Sequence, residues 1–323
     1  MTGAVRPILS VVVAATDSPR AVGRALAGLS GRGSGRAEVI VAAGFAPSGP
    51  DPGVRWVEAP PGSGVPRLRW LGLEAARGRV VAFTEESCIA APGWVEAWLA
   101  AFADPSLDAA SGVVEHADGA SAVDWAVVFC EYAPFLPPTR AGPPARLAGN
   151  NFAATRDVAL RALAGEVHEV ALLADVRRAG GAVRTVAGAR VRHVRQFGLR
   201  EAIGDRLRSG LGFGRLRASA SSTPARLAAT VAGPAIFAAQ AGRIAAAALR
   251  NPRRLGPFAD ALPITLALLA AWSVGEWAGW CLGAGADPPI GCRRRGTSGR
   301  TPGPRSDRPG SPGRHYKPKP GDA

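Results

Sequence analysis

Between Ile8 and Ala15 the chain is a continuous apolar run rich in β-branched residues. It is closed by the turn residues Asp17-Ser18-Pro19 and followed by Ala21, Leu26 and Leu29 at helical spacing. A short apolar run bounded by turn signals reads as a strand buried on both faces, and the whole segment as a βα unit. Glu38–Ala43 predicts a second buried strand and Val54–Val57 a short third one at an edge. A helix over 64–77, ended by Gly78, leads into a central strand at Arg79–Phe83. Strands alternating with helices at this spacing predict an α/β fold: a doubly wound, mostly parallel sheet with flanking helices. With 323 residues there is room for one large domain and an appendage.

Downstream, Pro92-Gly93-Trp94 opens an amphipathic helix to about Phe102. The stretch 130–150 reads as a Pro-rich loop, and Gly149-Asn150-Asn151-Phe152 leads into a helix near 156–164. A helix over 168–179 stops at Gly180-Gly181 before a strand through Val183–Val186, and Leu199–Leu216 is a basic amphipathic helix. The formal charge of +14 does not mark a nucleic-acid binder. Half of it lies from Arg293 onward, and the remaining arginines are scattered without the interleaved aromatics of a stacking platform. Cys88, Cys130, Cys281 and Cys292 show neither a CxxC pair nor a histidine at ligand spacing, which argues against a zinc site or a disulfide framework. No signal peptide is evident in the first apolar run, so the folded domain is expected in the cytoplasm.

After Phe83 comes the polar knot Thr84-Glu85-Glu86-Ser87. In open α/β sheets, groups just past the carboxyl end of a central strand face the ligand crevice. Glu85 and Glu86 are therefore candidates for chemistry, with a solvated turn as the plain structural alternative.

The frame running from Val80 through Glu85-Glu86-Ser87 to Pro92-Gly93-Trp94, together with the opening strand, resembles the family-2 glycosyltransferases over residues 8 to about 217. That resemblance implies a GT-A-type fold over 1–218 and transfer of a sugar, with inversion, from a nucleotide-diphosphate donor. It implies Mg²⁺ or Mn²⁺ held by Glu85, Glu86 and His193, and donor contacts from Asp17 and Glu85. Asn150 and Asn151 would form the acceptor-side turn, and Glu169 would be the base that takes the acceptor proton. Arg206, with Arg208 and Arg215 on the basic helix, would either screen the donor diphosphate or meet anionic lipid headgroups. Glu169 and His193 also have structural readings, as a helix N-terminal carboxylate and a packed ring. The sequence departs from the family pattern at Glu85-Glu86-Ser87, where the family usually has Asp, at His168-Glu169, where it commonly has a Glu-Asp pair, and at Ala42-Ala43-Gly44, where it usually has an Asp. These departures keep open the alternative of a catalytically degenerate, membrane-bound scaffold or partner subunit.

Leu262–Cys281 carries Glu276 as its only charge and, at about 1.5 Å per residue, is long enough to cross hydrocarbon. Asp260 reads as its N-cap, with Pro263 in the first turn. Leu227–Leu249, interrupted by Pro234, Gln240 and Arg243, is a second, weaker segment. Residues 225–284 are thus expected to form membrane-associated helices, as a hairpin that crosses, re-enters or lies on the bilayer. The acceptor would then be lipid-linked or a cell-envelope glycan, and no nucleic-acid partner is expected. Residues 285–323 read as a basic Pro/Gly-rich tail unable to bury a core.

Overall fold

A computed structural model describes residues 6–29, 35–49, 51–116, 119–139, 142–162, 165–219 and 221–283. The expected basic tail lies outside the described residues. In chain order the first half runs β1 (Leu9–Ala15), α1 (Pro19–Gly28), β2 (Ala37–Ala43), β3 (Val54–Glu58), α2 (Val65–Ala75), β4 (Val80–Glu85), β5 (Cys88–Ala90) and α3 (Trp94–Ala101). There follow β6 (Leu107–His116), α4 (Ala122–Tyr132), β7 (Asn151–Thr155), α5 (Arg156–Ala162), α6 (Glu169–Arg178) and β8 (Ala182–His193). Four helices complete the described chain: α7 (Leu199–Ser219), α8 (Thr223–Val231), α9 (Gly233–Leu249) and α10 (Leu255–Leu282).

The strands form one sheet in the order β3-β2-β1-β4-β7-β6-β8-β5. β1 pairs in parallel with β2 and β4, whereas β7 is antiparallel to both β4 and β6, so the sheet is mixed but mostly parallel. The alternation of side chains along a strand explains how β1 is buried on both faces. Val11, Val13 and Ala15 join the core containing Trp94, Trp98 and Phe102, while Val12 joins the opposite core of Leu73, Phe83, Phe152 and Leu172. Burying each such valine or leucine contributes about 1.5–3 kcal/mol. Helix α2 rides close on this face, for a Cβ at Gly72 would fall 2.3 Å from Val12 Cγ1.

Three strands, β5, β6 and β7, were not evident in the sequence. β6 and β7 meet through alanine pairs, Ala109 with Ala154 and Ala110 with Ala153, all fully buried. Alanine has low intrinsic strand preference, and here tertiary burial overrides it. The reversal of β7 sets up the site, because it lays Asn151 beside Thr84 at the carboxyl end of β4.

Helices α4, α7, α9 and α10 make a further layer with its own core, including Phe129, Leu136, Ile244 and Leu268. Asp124 of α4 closes a capping box with Ser121 and also accepts a hydrogen bond from the Phe197 amide at 2.7 Å, fixing the entry to α7. α10 begins at Leu255, so Asp260 is inside the helix rather than its cap, and Pro263 lies within it. The segment Leu227–Leu249 is not one span: α8 ends at Val231 and Pro234 stands in the first turn of α9. Pro252–Leu282 is the single stretch among the described residues long and apolar enough to cross a membrane.

α7 and α10 meet through two GxxxG patterns, Gly210–Gly214 and Gly275–Gly279. A Cβ at Gly210 would sit 2.2 Å from the Trp272 carbonyl oxygen, and one at Gly275 would sit 2.1 Å from that of Leu207. Only glycine permits so close an approach. Across the same seam Glu276, 3% exposed, pairs with Arg217, and within α10 it accepts from Trp272 Nε1 at 2.8 Å.

Candidate functional site

The site lies where β4 ends, β7 begins and α6 starts, and Arg69 of α2 is at its centre. This guanidinium is 4% exposed and has four acceptors. Its Nη2 donates to Glu85 at 2.9 Å and to the Gly149 carbonyl at 2.6 Å; its Nη1 donates to Glu169 at 3.1 Å and to the Val167 carbonyl at 3.3 Å. The planar fork of arginine suits such two-sided bridging. One cation thus joins the strand-end acid to the acid at the first residue of α6, where the helix N-terminus also favours negative charge.

The cluster is short of positive charge. Burial pushes the Glu85 carboxyl up to about 7, Arg69 pulls it back, and the neighbouring carboxylates Glu86 and Glu169 push it further. Tyr132 of α4 lies within electrostatic reach of the same group. Burial first, then the charges of Glu131 and Glu85, hold its phenol well above the usual range.

Glu86, one residue on, turns the other way. Its Oε1 accepts from the Thr16 amide at 2.9 Å, the Thr16 hydroxyl at 3.0 Å and the Asp17 amide at 2.9 Å. It organises the β1–α1 loop and leaves Asp17 exposed at the rim. Asn150 and Asn151 divide in the same manner. Asn151 accepts from Trp94 Nε1 and donates to the Val113 and Ala189 carbonyls, each at 2.9 Å, so its amide is used entirely within the fold. Asn150 is 1% exposed, and neither atom of its side-chain amide has a partner. A buried amide without partners is costly, and a ligand that supplied them would be bound for it.

His193 ends β8 with its ring 5.4 Å from Tyr132, 6.2 Å from His116 and stacked on Phe197. The charges that act on it are His116, Arg195 and Asp124, and not the carboxylates of the cluster. Burial lowers it to about 3, so the ring is neutral in the folded protein. An unfolded histidine binds a proton below about 6.5, and the folded one does not until about 3, so stability is lost as pH falls through that window. Between pH 7 and pH 5 the expected loss is roughly 2 kcal/mol. Chemical denaturation of the parent and of His193→Phe at both pH values reads it: the variant should lose that share of the acid sensitivity.

Arg206 does not reach the cluster. It is 7% exposed, pairs with Glu131 at 3.2 Å and lies 4.4 Å over the Trp272 ring, which makes it a tie between α4, α7 and α10. Glu85 and Glu169 therefore come together on Arg69, Asn150 follows the Gly149 carbonyl that Arg69 holds, Glu86 and Asp17 stand at the edge, and Asn151, His193 and Arg206 are engaged elsewhere. Arg69 and Tyr132 were not foreseen. The one signal for Arg69 was a cation at helical spacing from Leu73, on the face that α2 turns inward.

A divalent metal fits this set in charge but not in number. Two carboxylates, Glu85 and Glu169, flank one guanidinium, and Glu86 adds its charge from the side, yet among the described residues no group of three His, Cys, Asp or Glu side chains could hold a metal ion. Glu85 is the residue that would hold one, with further ligands from outside the protein.

No protein-family profile matches the chain, and no curated protein does. Among solved structures it is similar to a mannosyltransferase from Pyrobaculum calidifontis in complex with GDP-Man and Mn²⁺. The TM-score is 0.52 at 16% identity, covering 84% of this chain and 87% of that one. Glucosyl-3-phosphoglycerate synthase from Mycobacterium tuberculosis, in complex with phosphoglyceric acid, aligns at TM-score 0.42 and 20% identity over 61% of this chain and 74% of its own. The fold comparison rests on the first of these, and by it this chain is similar in fold to the GT-A-type glycosyltransferases.

Proposed function

We propose that the protein transfers a sugar, with inversion, from a nucleoside-diphosphate donor to an acceptor hydroxyl at the Glu85–Arg69–Glu169 cluster. The observation that carries this reading is the single buried guanidinium bridging the strand-end acid and the acid at the start of α6. Glu169 takes the acceptor proton as the acceptor oxygen bonds to the anomeric carbon. The bond from that carbon to the diphosphate oxygen breaks, and its electron pair leaves with the nucleoside diphosphate. Arg69 stands beside the negative charge that develops there. Asn150 offers its unpartnered amide to the sugar or the acceptor. Glu85 would hold Mg²⁺ or Mn²⁺, whose chemistry is to neutralise the leaving diphosphate.

The acceptor is proposed to be lipid-linked or a cell-envelope glycan met at a membrane surface. Twelve of the fourteen large apolar side chains exposed among the described residues lie on α7–α10, including Leu227, Val231, Leu262, Leu266 and Trp277. Exposed apolar surface concentrated in this way suits an interface with lipid.

The rival reading, a degenerate scaffold, draws on Glu86 being engaged by the β1–α1 loop and on Ala42-Ala43 at the end of β2. Binding and turnover across a panel of nucleotide sugars, with Mn²⁺, in the parent and in Glu85→Gln, separates the two. The transferase reading expects turnover that falls at least about 100-fold in the variant, in the range of a lost charge-stabilising group. Equal turnover in both proteins overturns the assigned site, and absence of any nucleoside-diphosphate binding favours the scaffold.

A further inference from the structure

A cavity of about 710 Å³ opens between α4, the segment 142–146, the end of α7 and α9, and four arginines line it: Arg146, Arg217, Arg243 and Arg250. No carboxylate is among its lining residues, and its apolar wall includes Phe129, Phe135 and Ile244. The volume is that of a small-molecule site.

Two of these arginines stand out. Arg146 and Arg243 are exposed to the cavity and make no hydrogen bond or ion pair among the described residues. Arg217, by contrast, is partnered by Glu276. The cationic groups also act on one another. Partial desolvation in the cavity lowers Arg146 most, the charge of Glu169 opposes it, and the repulsion of Arg217, Arg243 and Arg206 then adds to the lowering. Arg146 and Arg243 face the cavity without a matching anion, which costs free energy that a multiply charged ligand offsets, and guanidinium forks match phosphate oxygens in pairs.

One short segment links the cavity lining to the reaction centre along the chain. Arg146 precedes Gly149, whose carbonyl is held by Arg69, and a Cβ at Gly149 would lie 3.3 Å from the Glu169 carboxyl. An anion seated on Arg146 is therefore felt at the proposed base.

We infer that this cavity binds a phosphate group of the acceptor, with the rest of the acceptor lying along the apolar wall toward Glu169. The inference rests on the transferase reading for the word acceptor, but the anion site stands or falls separately. The phosphate could belong to a lipid headgroup or to a soluble phosphate ester, and the shared chemistry is a phosphate dianion beside an apolar body.

The test uses the full chain, as parent, Arg243→Gln and the double variant Arg146→Gln/Arg243→Gln. Calorimetry measures inorganic phosphate and glycerol 3-phosphate; flotation measures phosphatidylcholine vesicles with and without phosphatidic acid. The double variant is expected to bind these phosphates about 10- to 100-fold more weakly, the span set by losing charge-assisted hydrogen bonds, while nucleoside-diphosphate binding is retained. Stronger dependence on the arginines for phosphatidic acid vesicles assigns the phosphate to a lipid, and stronger dependence for glycerol 3-phosphate to a soluble ester. Phosphate binding that is absent in the parent, or equal in parent and double variant, overturns the inference. Should the double variant misfold, Arg243→Gln, on an exposed helix position, carries the same comparison with a smaller change. Arginine-dependent phosphate binding in a protein that binds no nucleoside diphosphate would remove the transferase reading and leave the anion site.

Discussion

Glu169→Gln is expected to transfer sugar about 10²- to 10⁴-fold more slowly than the parent, the usual consequence of losing a positioned general base. The substitution is nearly isosteric. Its amide oxygen can still accept from Arg69, so the clamp and the fold should persist, but the group no longer takes a proton. Donor affinity should therefore change little while kcat collapses. Steady-state kinetics with the donor found by the panel, beside a thermal melt, measures both. An unchanged kcat would remove Glu169 from the chemistry and return it to the role of a helix-start carboxylate.

Arg69→Met should damage stability and activity together. The change leaves Glu85, Glu169 and two carbonyls without their shared donor. Removing one partner of a buried charge set costs about 3–5 kcal/mol. Glu85 and Glu169 keep 19% and 22% exposure, so water screens part of this and about 2–3 kcal/mol is the better expectation. For a chain of this size that is a fall in Tm of about 4–10 °C. Arg69→Lys should not rescue, since one ammonium cannot span acceptors on two sides. Differential scanning calorimetry and nucleotide binding test it; parent values for both in Arg69→Met would mean the clamp is idle.

Much of the fold was legible because its central strands are apolar on both faces. Ile8–Ala15, Glu38–Ala43 and Arg79–Phe83 announced themselves as buried strands, and helices expected over 64–77 and 168–179 were found at Val65–Ala75 and Glu169–Arg178. β6 and β7 escaped because buried alanine carries no strand signature of its own. The sequence placed the acids at a strand end but could not say which way adjacent residues turn. Glu85 faces Arg69 while Glu86 faces the Thr16 and Asp17 amides, and Asn150 and Asn151 split likewise. Arg69 and Arg206 are long-range facts: each is fixed by partners that only the folded chain brings near. A basic amphipathic pattern cannot reveal that Arg206 will be roofed by Trp272.

The glycine seam between α7 and α10 binds the fates of two chemically unlike helices. Backbone touches backbone at Gly210 and Gly275, so whatever surroundings one rod enters, the other enters with it. Hydrocarbon that swallowed α10 would have to swallow Arg200 and Arg208 of α7 as well, at about 2.5–3.5 kcal/mol for each charge at mid-bilayer. An apolar rod welded to a cationic one suits a boundary between water and lipid better than the hydrocarbon core itself.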